Sequence, residues 1–198
     1  MSNTPFIKLE NIYWKREDLN ETGSANDRAI IFQIENLKKQ NFKSAVISST
    51  GNAAISASHF CYLNQIELSV FLSPKVNKNK LILIEKNPCQ IIFSNKAISD
   101  AIKFAKKNNS YLLRQSTDPN ALFGYQEIGK ELTKEIPQIT SIFIPVGSGT
   151  TLLGISQSLN PSVKIFAIQP ASNCPLSKNF DQDYQPETEN ITDAISAK

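Results

Sequence analysis

Three short stretches of the 198-residue sequence combine glycine with hydroxyl or amide side chains. They are residues 22–28 (TGSANDR), 48–52 (SSTGN) and 147–151 (GSGTT). Each stands where a helical pattern begins, and the second and third directly follow an apolar run typical of a strand. Small residues at such a junction let backbone N–H groups and hydroxyls face a ligand. The pattern predicts binding of a small anionic molecule.

The third stretch suits a phosphate group. Its residues are Gly147, Ser148, Gly149, Thr150 and Thr151. The glycines leave backbone N–H groups accessible, the hydroxyls add donors, and the dipole of the following helix adds positive potential. It is neither a Walker A loop, because Ile155 stands where that motif needs lysine, nor a GxGxxG dinucleotide loop. The alternative is an ordinary strand-to-helix turn with a threonine cap.

The other two stretches each have a structural alternative. Ser49, Thr50, Gly51 and Asn52 offer donors and acceptors for a carboxylate or a ring hydroxyl, but serine, threonine and asparagine are also the favoured N-caps. Within residues 22–28, Ser24 and Asp27 have the spacing of a capping box. Neither stretch alone identifies a function.

Composition excludes several classes of protein. Apolar residues are 40% and charged residues 20% of the chain, as in a globular protein. The net charge of +3 is too small to indicate nucleic-acid binding, and no apolar run predicts a membrane partner. His59 is the single histidine, so no His-rich metal centre is expected. Three scattered cysteines (Cys61, Cys89 and Cys174) favour a reduced, cytoplasmic chain without a disulfide framework or a metal site.

Short apolar runs alternate with amphipathic stretches along the chain. The predicted strands are residues 44–48, 67–72, 90–94, 110–113, 141–146 and 164–168. The predicted helices are residues 29–40, 52–63, 77–86, 96–108, 120–136 and 150–159. This order predicts an α/β fold, a parallel sheet with helices on both faces and ligands at the carboxyl ends of strands. Tyr13 and Trp14 are predicted to lie in the core of an N-terminal strand, Cys61 in the core, and His59 at or near the surface.

In this order, the three stretches resemble the pyridoxal-phosphate enzymes of fold type II. The resemblance rests on residues 15–28 (KREDLNETGSANDR), on SSTGN and on residues 145–154 (PVGSGTTLLG), and extends from Thr4 to about Ala194. This family is tryptophan-synthase-β-like and includes threonine synthase, threonine dehydratase and cysteine synthase. KREDLN resembles tryptophan synthase β, whereas TGS, DR and GSGTTLLG resemble threonine synthase and its relatives.

The resemblance implies a cofactor, pyridoxal 5'-phosphate, and roles for particular residues. Residues 147–151 would hold its phosphate, Asn52 its ring hydroxyl, and Ser49, Thr50 and Gly51 the substrate carboxylate. It also implies a small mobile domain of residues 48–125. The larger domain would combine residues 1–47 with residues 126–198 and be incomplete at its C-terminus.

One residue departs from the family pattern at its reactive position. The family reads Ser-x-Lys-Asp-Arg, and its lysine bonds covalently to the cofactor and later moves the α-proton. Here that position is Asn26, between Ser24 and Asp27-Arg28. An amide neither forms the internal aldimine nor acts as a base near neutral pH. The sequence therefore predicts that any bound cofactor is held non-covalently.

The chain is also shorter than the family pattern, and three hypotheses follow. The first is a degenerate amino-acid-metabolism protein that keeps a cofactor or phosphate pocket without the family chemistry. The second is a fragment or lysine-mutated form of an active threonine-synthase-like lyase. The third is a binding or regulatory subunit that pairs with itself, a catalytic paralogue or a second fragment. Expected ligands are a small amino acid or a phosphate compound.

Overall fold

A computed structural model describes residues 3–49, 51–172, 174, 176–180 and 183. The chain divides into two compact units, Met1–Gly124 and Tyr125–Lys198. Among the described residues, no helix is long and apolar enough to cross a membrane.

The first unit contains a hairpin and a four-stranded sheet. Its strands are β1 (Phe6–Leu9), β2 (Ile12–Lys15), β3 (Ser44–Ser48), β4 (Glu67–Leu72), β5 (Gln90–Phe93) and β6 (Tyr111–Leu112). Its helices are α1 (Asn26–Lys39), α2 (Asn52–Leu63), α3 (Lys78–Glu85) and α4 (Ala97–Lys107), with a single 3-10 turn at Glu17–Leu19. β1 and β2 are antiparallel, and the sheet has the order β5-β4-β3-β6 with every pair parallel.

Helices cover both faces of this sheet, as the alternation of strands and helices predicts. Side chains of a strand alternate between the two faces. Ala45 and Ile47 of β3 belong to one buried cluster with α1 and α2, whereas Val46 between them packs with Ala101 and Ala105 of α4. The expected α/β fold with a parallel sheet is therefore confirmed.

Helix α1 buries the predicted apolar stripe. Ile30, Ile34 and Leu37 are all buried in the main cluster. The helix begins at Asn26, as the motif of residues 22–28 predicts, and three residues before the start that apolar periodicity gives. The Ser24 and Ala25 carbonyls accept the first turn's N–H bonds. Apolar periodicity cannot locate this start, because the polar first turn carries no apolar residue before Ala29.

The prediction that Tyr13 and Trp14 lie in the core is wrong. Both belong to β2, as a strand was expected there, but they are 38% and 54% exposed. β2 is paired only with β1 among the described strands. A two-stranded ribbon without a covering layer leaves its side chains in solvent.

The second unit contains a small parallel sheet. Its elements are β7 (Ser141–Pro145), α6 (Thr150–Ser156), β8 (Lys164–Ile168) and α7 (Ser177–Phe180), and α5 (Asn120–Glu135) contains the boundary between the units. β7 and β8 pair in parallel, with Phe143 opposite Phe166. α6 ends three residues before the predicted Leu159, because N–H groups after Gln157 bond to carbonyls only three residues back.

Candidate functional site

The carboxyl edge of the first unit's sheet brings two of the predicted site segments to one end. β3 ends at Ser48 and the chain passes through residues 49–51 into α2. α1 leads into the amino end of β3 through residues 40–43, so its own first residue lies toward the carboxyl end. Asn26 and Asn52 are each the first residue of these two helices, which pack together. Ligands of parallel sheets bind at this edge.

Asn26 is half-buried at the start of α1. Its side-chain Nδ2 donates a hydrogen bond to Ser24 Oγ over 3.3 Å, and Ser24 is itself buried. Position 26 therefore presents an amide, which can donate and accept hydrogen bonds. An amide has no amine nucleophile, so this position cannot bond covalently to an aldehyde cofactor.

The capping box expected between Ser24 and Asp27 is not formed. Ala25 occupies the N-cap position, and no side chain caps this helix end. The Asp27 carboxylate instead accepts a hydrogen bond from the Thr22 N–H over 2.8 Å and contacts the Thr22 hydroxyl. Asp27 is 2% exposed, so this contact holds the preceding loop against α1.

An ion pair between a fully buried guanidinium and a part-buried carboxylate anchors the segment before α1, and sequence reasoning missed it. The Arg28 guanidinium donates to both carboxylate oxygens of Glu17, over 2.7 and 2.8 Å, and to Thr4 Oγ1 over 3.0 Å. Arg28 is 0% exposed. Asn20 Nδ2 also donates to the Glu17 carboxylate over 2.8 Å. The network fixes Arg28, two residues after Asn26, and an eleven-residue separation gives no periodic signal that would predict it.

A hydrogen bond joins Gly51 to Ser49 at the start of α2. The Gly51 N–H donates to Ser49 Oγ over 3.2 Å, and Gly51 is the N-cap of α2 with an extended backbone. Asn52 is the half-buried first residue of that helix. Thr50, predicted as part of the same carboxylate site, lies outside the described residues.

The helix that carries Asn52 is fixed on both sides. Ala54 and Ala57 are fully buried against the sheet, whereas His59 lies near the surface as expected. His59 Nε2 forms a 2.6 Å contact with Glu21 Oε1, which ties α2 to the loop before α1. This second link also has no signal in the sequence, because its partners are 38 residues apart.

Cys61 of α2 is a core residue, as predicted. Burial raises the pKa of its thiol to about 12, with a smaller contribution from Cys89. A thiol with so high a pKa is almost wholly protonated near neutral pH. It is therefore a poor nucleophile and metal ligand.

The predicted phosphate stretch forms a loop in the second unit. Gly149 has φ of +87°, in the left-handed region, and is the N-cap of α6. The hydroxyls of Ser148 and Thr150 lie 3.0 Å apart, and Thr150 is buried while Ser148 is exposed. α6, which follows the loop, has only seven residues.

The space around this loop fits a phosphate group. A Cβ built on Gly147 or Gly149 would meet no other described heavy atom within 4 Å, so both glycines face open space. Gln169 holds the residue that precedes the loop. Its Nε2 donates to the Val146 carbonyl over 3.1 Å, and its Oε1 accepts the Leu176 N–H over 3.0 Å. The donor set of small residues and hydroxyls matches the chemistry of phosphate oxygens.

The fold and these motifs define a family of enzymes. Residues 1–198 match the family described as pyridoxal-phosphate dependent enzyme, and the chain belongs to that family. Among curated proteins, it is 26% identical over 166 residues to L-threonine ammonia-lyase of Thermotoga maritima, covering 80% of this chain and 41% of that protein. It is also 26% identical over 208 residues to serine racemase of Bos taurus, covering 96% of this chain and 62% of that protein.

Solved structures show the same fold. The structure of maize serine racemase has a TM-score of 0.85 at 21% identity and covers 99% of this chain and 65% of its own. The structure of O-ureido-L-serine synthase has a TM-score of 0.84 at 17% identity and covers 98% of this chain and 68% of its own. The predicted fold type II architecture is thus confirmed. The chain spans about half the length of the curated relatives that it matches.

Proposed function

We propose that this chain binds pyridoxal 5'-phosphate non-covalently and does not carry out the family's amino-acid chemistry by itself. Asn26 is the observation that carries the proposal. It is the first residue of α1, and its amide is hydrogen-bonded to buried Ser24. The motif resemblance assigns it the position of the family's reactive lysine. The family membership supports the choice of cofactor.

The other residues predicted for the site have groups that can bind the cofactor and an amino acid. We propose that residues 147–151 bind the phosphate through backbone N–H groups and the Ser148, Thr150 and Thr151 hydroxyls. Asn52 would hydrogen-bond the ring hydroxyl, and the loop of residues 49–51 would bind an amino-acid carboxylate. When bound, the cofactor supplies a ring that withdraws electrons from the amino-acid carbon next to nitrogen.

With asparagine at position 26, the site lacks both an amine for covalent attachment and a general base. The position offers no amine to hold the cofactor covalently and no group that takes a proton near neutral pH. Loss of a general base alone costs about 10²–10⁴-fold in rate. We therefore expect reversible cofactor binding and no appreciable amino-acid turnover by the unaltered chain.

The relatives suggest the chemical class of the second ligand. Their names refer to L-threonine and serine, which are small hydroxyl-bearing amino acids. We propose that the chain's ligand is an amino acid of this size. The predicted division into a small domain of residues 48–125 and a larger domain from the rest stays a prediction.

Borohydride trapping tests the proposal. The chain is equilibrated with pyridoxal phosphate, reduced with borohydride, and analysed by intact mass and peptide mapping, while equilibrium dialysis measures reversible binding. We expect saturable binding without a stoichiometric adduct on any one lysine. Asn26→Lys restores the amine and should give one phosphopyridoxyl group on residue 26, whereas Asn26→Gln should behave as the unaltered chain.

Two outcomes would overturn the proposal. A single lysine of the unaltered chain that becomes fully modified would mean that another amine replaces the missing one. An absence of saturable binding to both the unaltered chain and Asn26→Lys would mean that the motifs no longer form a cofactor site.

An exposed aromatic face supports a second candidate function, a binding or regulatory subunit. It is the face of β7 and β8 that carries Phe143 and Phe166. Phe143 and Phe166 stack on this face with ring centroids 4.8 Å apart, and Phe143 is 66% exposed. Parallel sheets are normally covered on both faces. Light scattering over a concentration series tests self-pairing. A mass increase abolished by Phe143→Ser supports it, and a monomer at every concentration counts against a homodimer.

A further inference from the structure

A cavity lies at the amino end of the first unit's sheet. Its volume is about 520 Å³, within the range of about 300–1,000 Å³ that is typical of small-molecule sites. Ser44, Glu67 and Gln90 line it, and they are the first residues of β3, β4 and β5. The strands are parallel, so Ser48 and the start of α2 lie at their opposite, carboxyl end. The cavity is therefore separate from the predicted carboxylate loop.

The face of the sheet that borders this cavity is polar. Val46 of β3 packs against α4, so Ser44, two residues earlier in the same strand, is on the α4 face as well. The strand register places Glu67, Ser69 and Gln90 on that face too. Faces of parallel sheets are usually apolar because helices cover them. The polar side chains here mark a part of the face that α4 leaves open.

Hydrogen bonds hold most of these polar groups in place. The hydroxyls of Ser44 and Ser110 lie 2.7 Å apart, and Ser69 Oγ donates to Gln90 Oε1 over 3.0 Å. Ser110 also lines the cavity and is 8% exposed, so the cavity extends to a buried hydroxyl. The Glu67 carboxylate, in contrast, has no hydrogen-bond or ion-pair partner among the described residues. It is available to a ligand.

The chemistry of the lining indicates the class of ligand. Among the described residues that line the cavity, Glu67 alone carries a charge. A carboxylate accepts hydrogen bonds from an ammonium group, and such charge-assisted bonds are stronger than neutral ones. Serine hydroxyls and the glutamine amide suit hydroxyl groups. Phe104 of α4 adds an aromatic wall against which carbon atoms can pack.

We propose that this cavity binds a small hydroxylated amine, such as an amino sugar, and that Glu67 receives its ammonium group. Ser44 and Ser69 would hydrogen-bond the ligand's hydroxyls, and Phe104 would pack against its carbon atoms. The inference does not rest on the proposed cofactor binding, because none of these residues belongs to the segments assigned to the cofactor.

Titration with D-glucosamine and D-glucose tests the proposal, because one sugar has an amine where the other has a hydroxyl. Chemical-shift changes in two-dimensional amide NMR spectra give both the Kd and the residues affected. Pyridoxal phosphate is left out, since its aldehyde would react with the amine. Glu67→Gln removes the carboxylate. Glu35→Gln is the matched control, because Glu35 is an exposed residue of α1, which packs on the other face of the sheet.

The unaltered chain should bind D-glucosamine with a millimolar Kd, as expected for a ligand of about a dozen non-hydrogen atoms. The largest shifts should be at residues 44, 67–69 and 90. Because Glu67 is exposed, its ion pair should make glucosamine bind about threefold more tightly than glucose. Glu67→Gln should remove this preference, and Glu35→Gln should retain it. Unchanged spectra elsewhere in Glu67→Gln would confirm that its fold is kept.

Three outcomes would overturn the proposal. Equal affinity for the two sugars, or a preference that survives in Glu67→Gln, would mean that the cavity does not select an amine through Glu67. An absence of shifts at the lining residues over the millimolar range would mean that the cavity is not a site for such ligands. The proposed cofactor binding would stand in each case, since borohydride trapping tests it separately.

Discussion

Gly124 of α5 lies directly against the backbone of Arg28 in α1. A Cβ built on Gly124 would stand 2.2 Å from the Arg28 carbonyl oxygen and 2.7 Å from the Ala29 nitrogen. The neighbouring atoms are backbone, which cannot move aside as a flexible side chain does. This close approach holds the first turn of α5, up to Gly124, against the first turn of α1.

We predict that Gly124→Ala destabilises the fold by about 1–3 kcal/mol, the usual cost of overpacking a core contact. Urea denaturation of the purified variant measures this change. Gly147→Ala is the matched control, because a Cβ there meets nothing within 4 Å. Equal stability of the two variants would show that α1 and α5 separate at little cost.

The Glu17–Arg28 pair gives a second prediction about stability. Glu17→Gln takes the negative charge away from the fully buried guanidinium, and because Glu17 is 18% exposed we expect the lower end of the buried-pair range, about 3 kcal/mol. Thermal and urea unfolding should both show a large loss. Asp18→Asn breaks the exposed pair with Arg16 and should leave stability nearly unchanged, although Arg16 lowers the pKa of the Asp18 carboxyl. Similar losses in both variants would contradict this contrast.

Tyr111 predicts how stability changes at alkaline pH. Burial first, and then its 2.6 Å hydrogen bond to Asp118, raise the pKa of the Tyr111 phenol from 10.0 to about 12. The folded chain then keeps a proton that the unfolded chain loses, so this contribution is complete below pH 10 and disappears as pH rises toward about 12.

Urea denaturation at a series of alkaline pH values measures the effect. In Tyr111→Phe, the fall in stability over this range should be shallower than in the unaltered chain. Identical slopes would mean that Tyr111 ionises as easily in the folded chain as in the unfolded one. Tyr62, which is exposed, offers a control variant, Tyr62→Phe, that should keep the original slope.

Substitution of Gly149 in the second unit should change both the free energy of unfolding and phosphate binding. Its φ of +87° is costly for residues with a Cβ, so Gly149→Ala should destabilise by about 1–2 kcal/mol. The same change should weaken pyridoxal phosphate binding, since the loop must relax to relieve the strain. Equilibrium dialysis and urea unfolding on the same preparation measure both effects. Loss of stability with unchanged affinity would exclude residues 147–151 from the phosphate site.

Local sequence determined the bounds of several elements and the residue type at position 26. β3, β4, β8 and α2 have the bounds that their apolar runs and polar caps predict, because strand and helix periodicity and capping depend on neighbouring residues. The prediction that Asn26 stands where the family has a lysine is also local, since it follows from the residue type within an ordered motif.

Contacts between distant residues were decided only by the tertiary structure. The exposure of Trp14, the pairing of Glu17 with Arg28 and the contact of Ser44 with Ser110 each depend on which elements are neighbours. Periodicity states which face of an element is apolar but not what covers it, and a charged residue carries no sign of a partner eleven or more positions away. Sheet order and register set those distances, and they arise from packing of the whole unit.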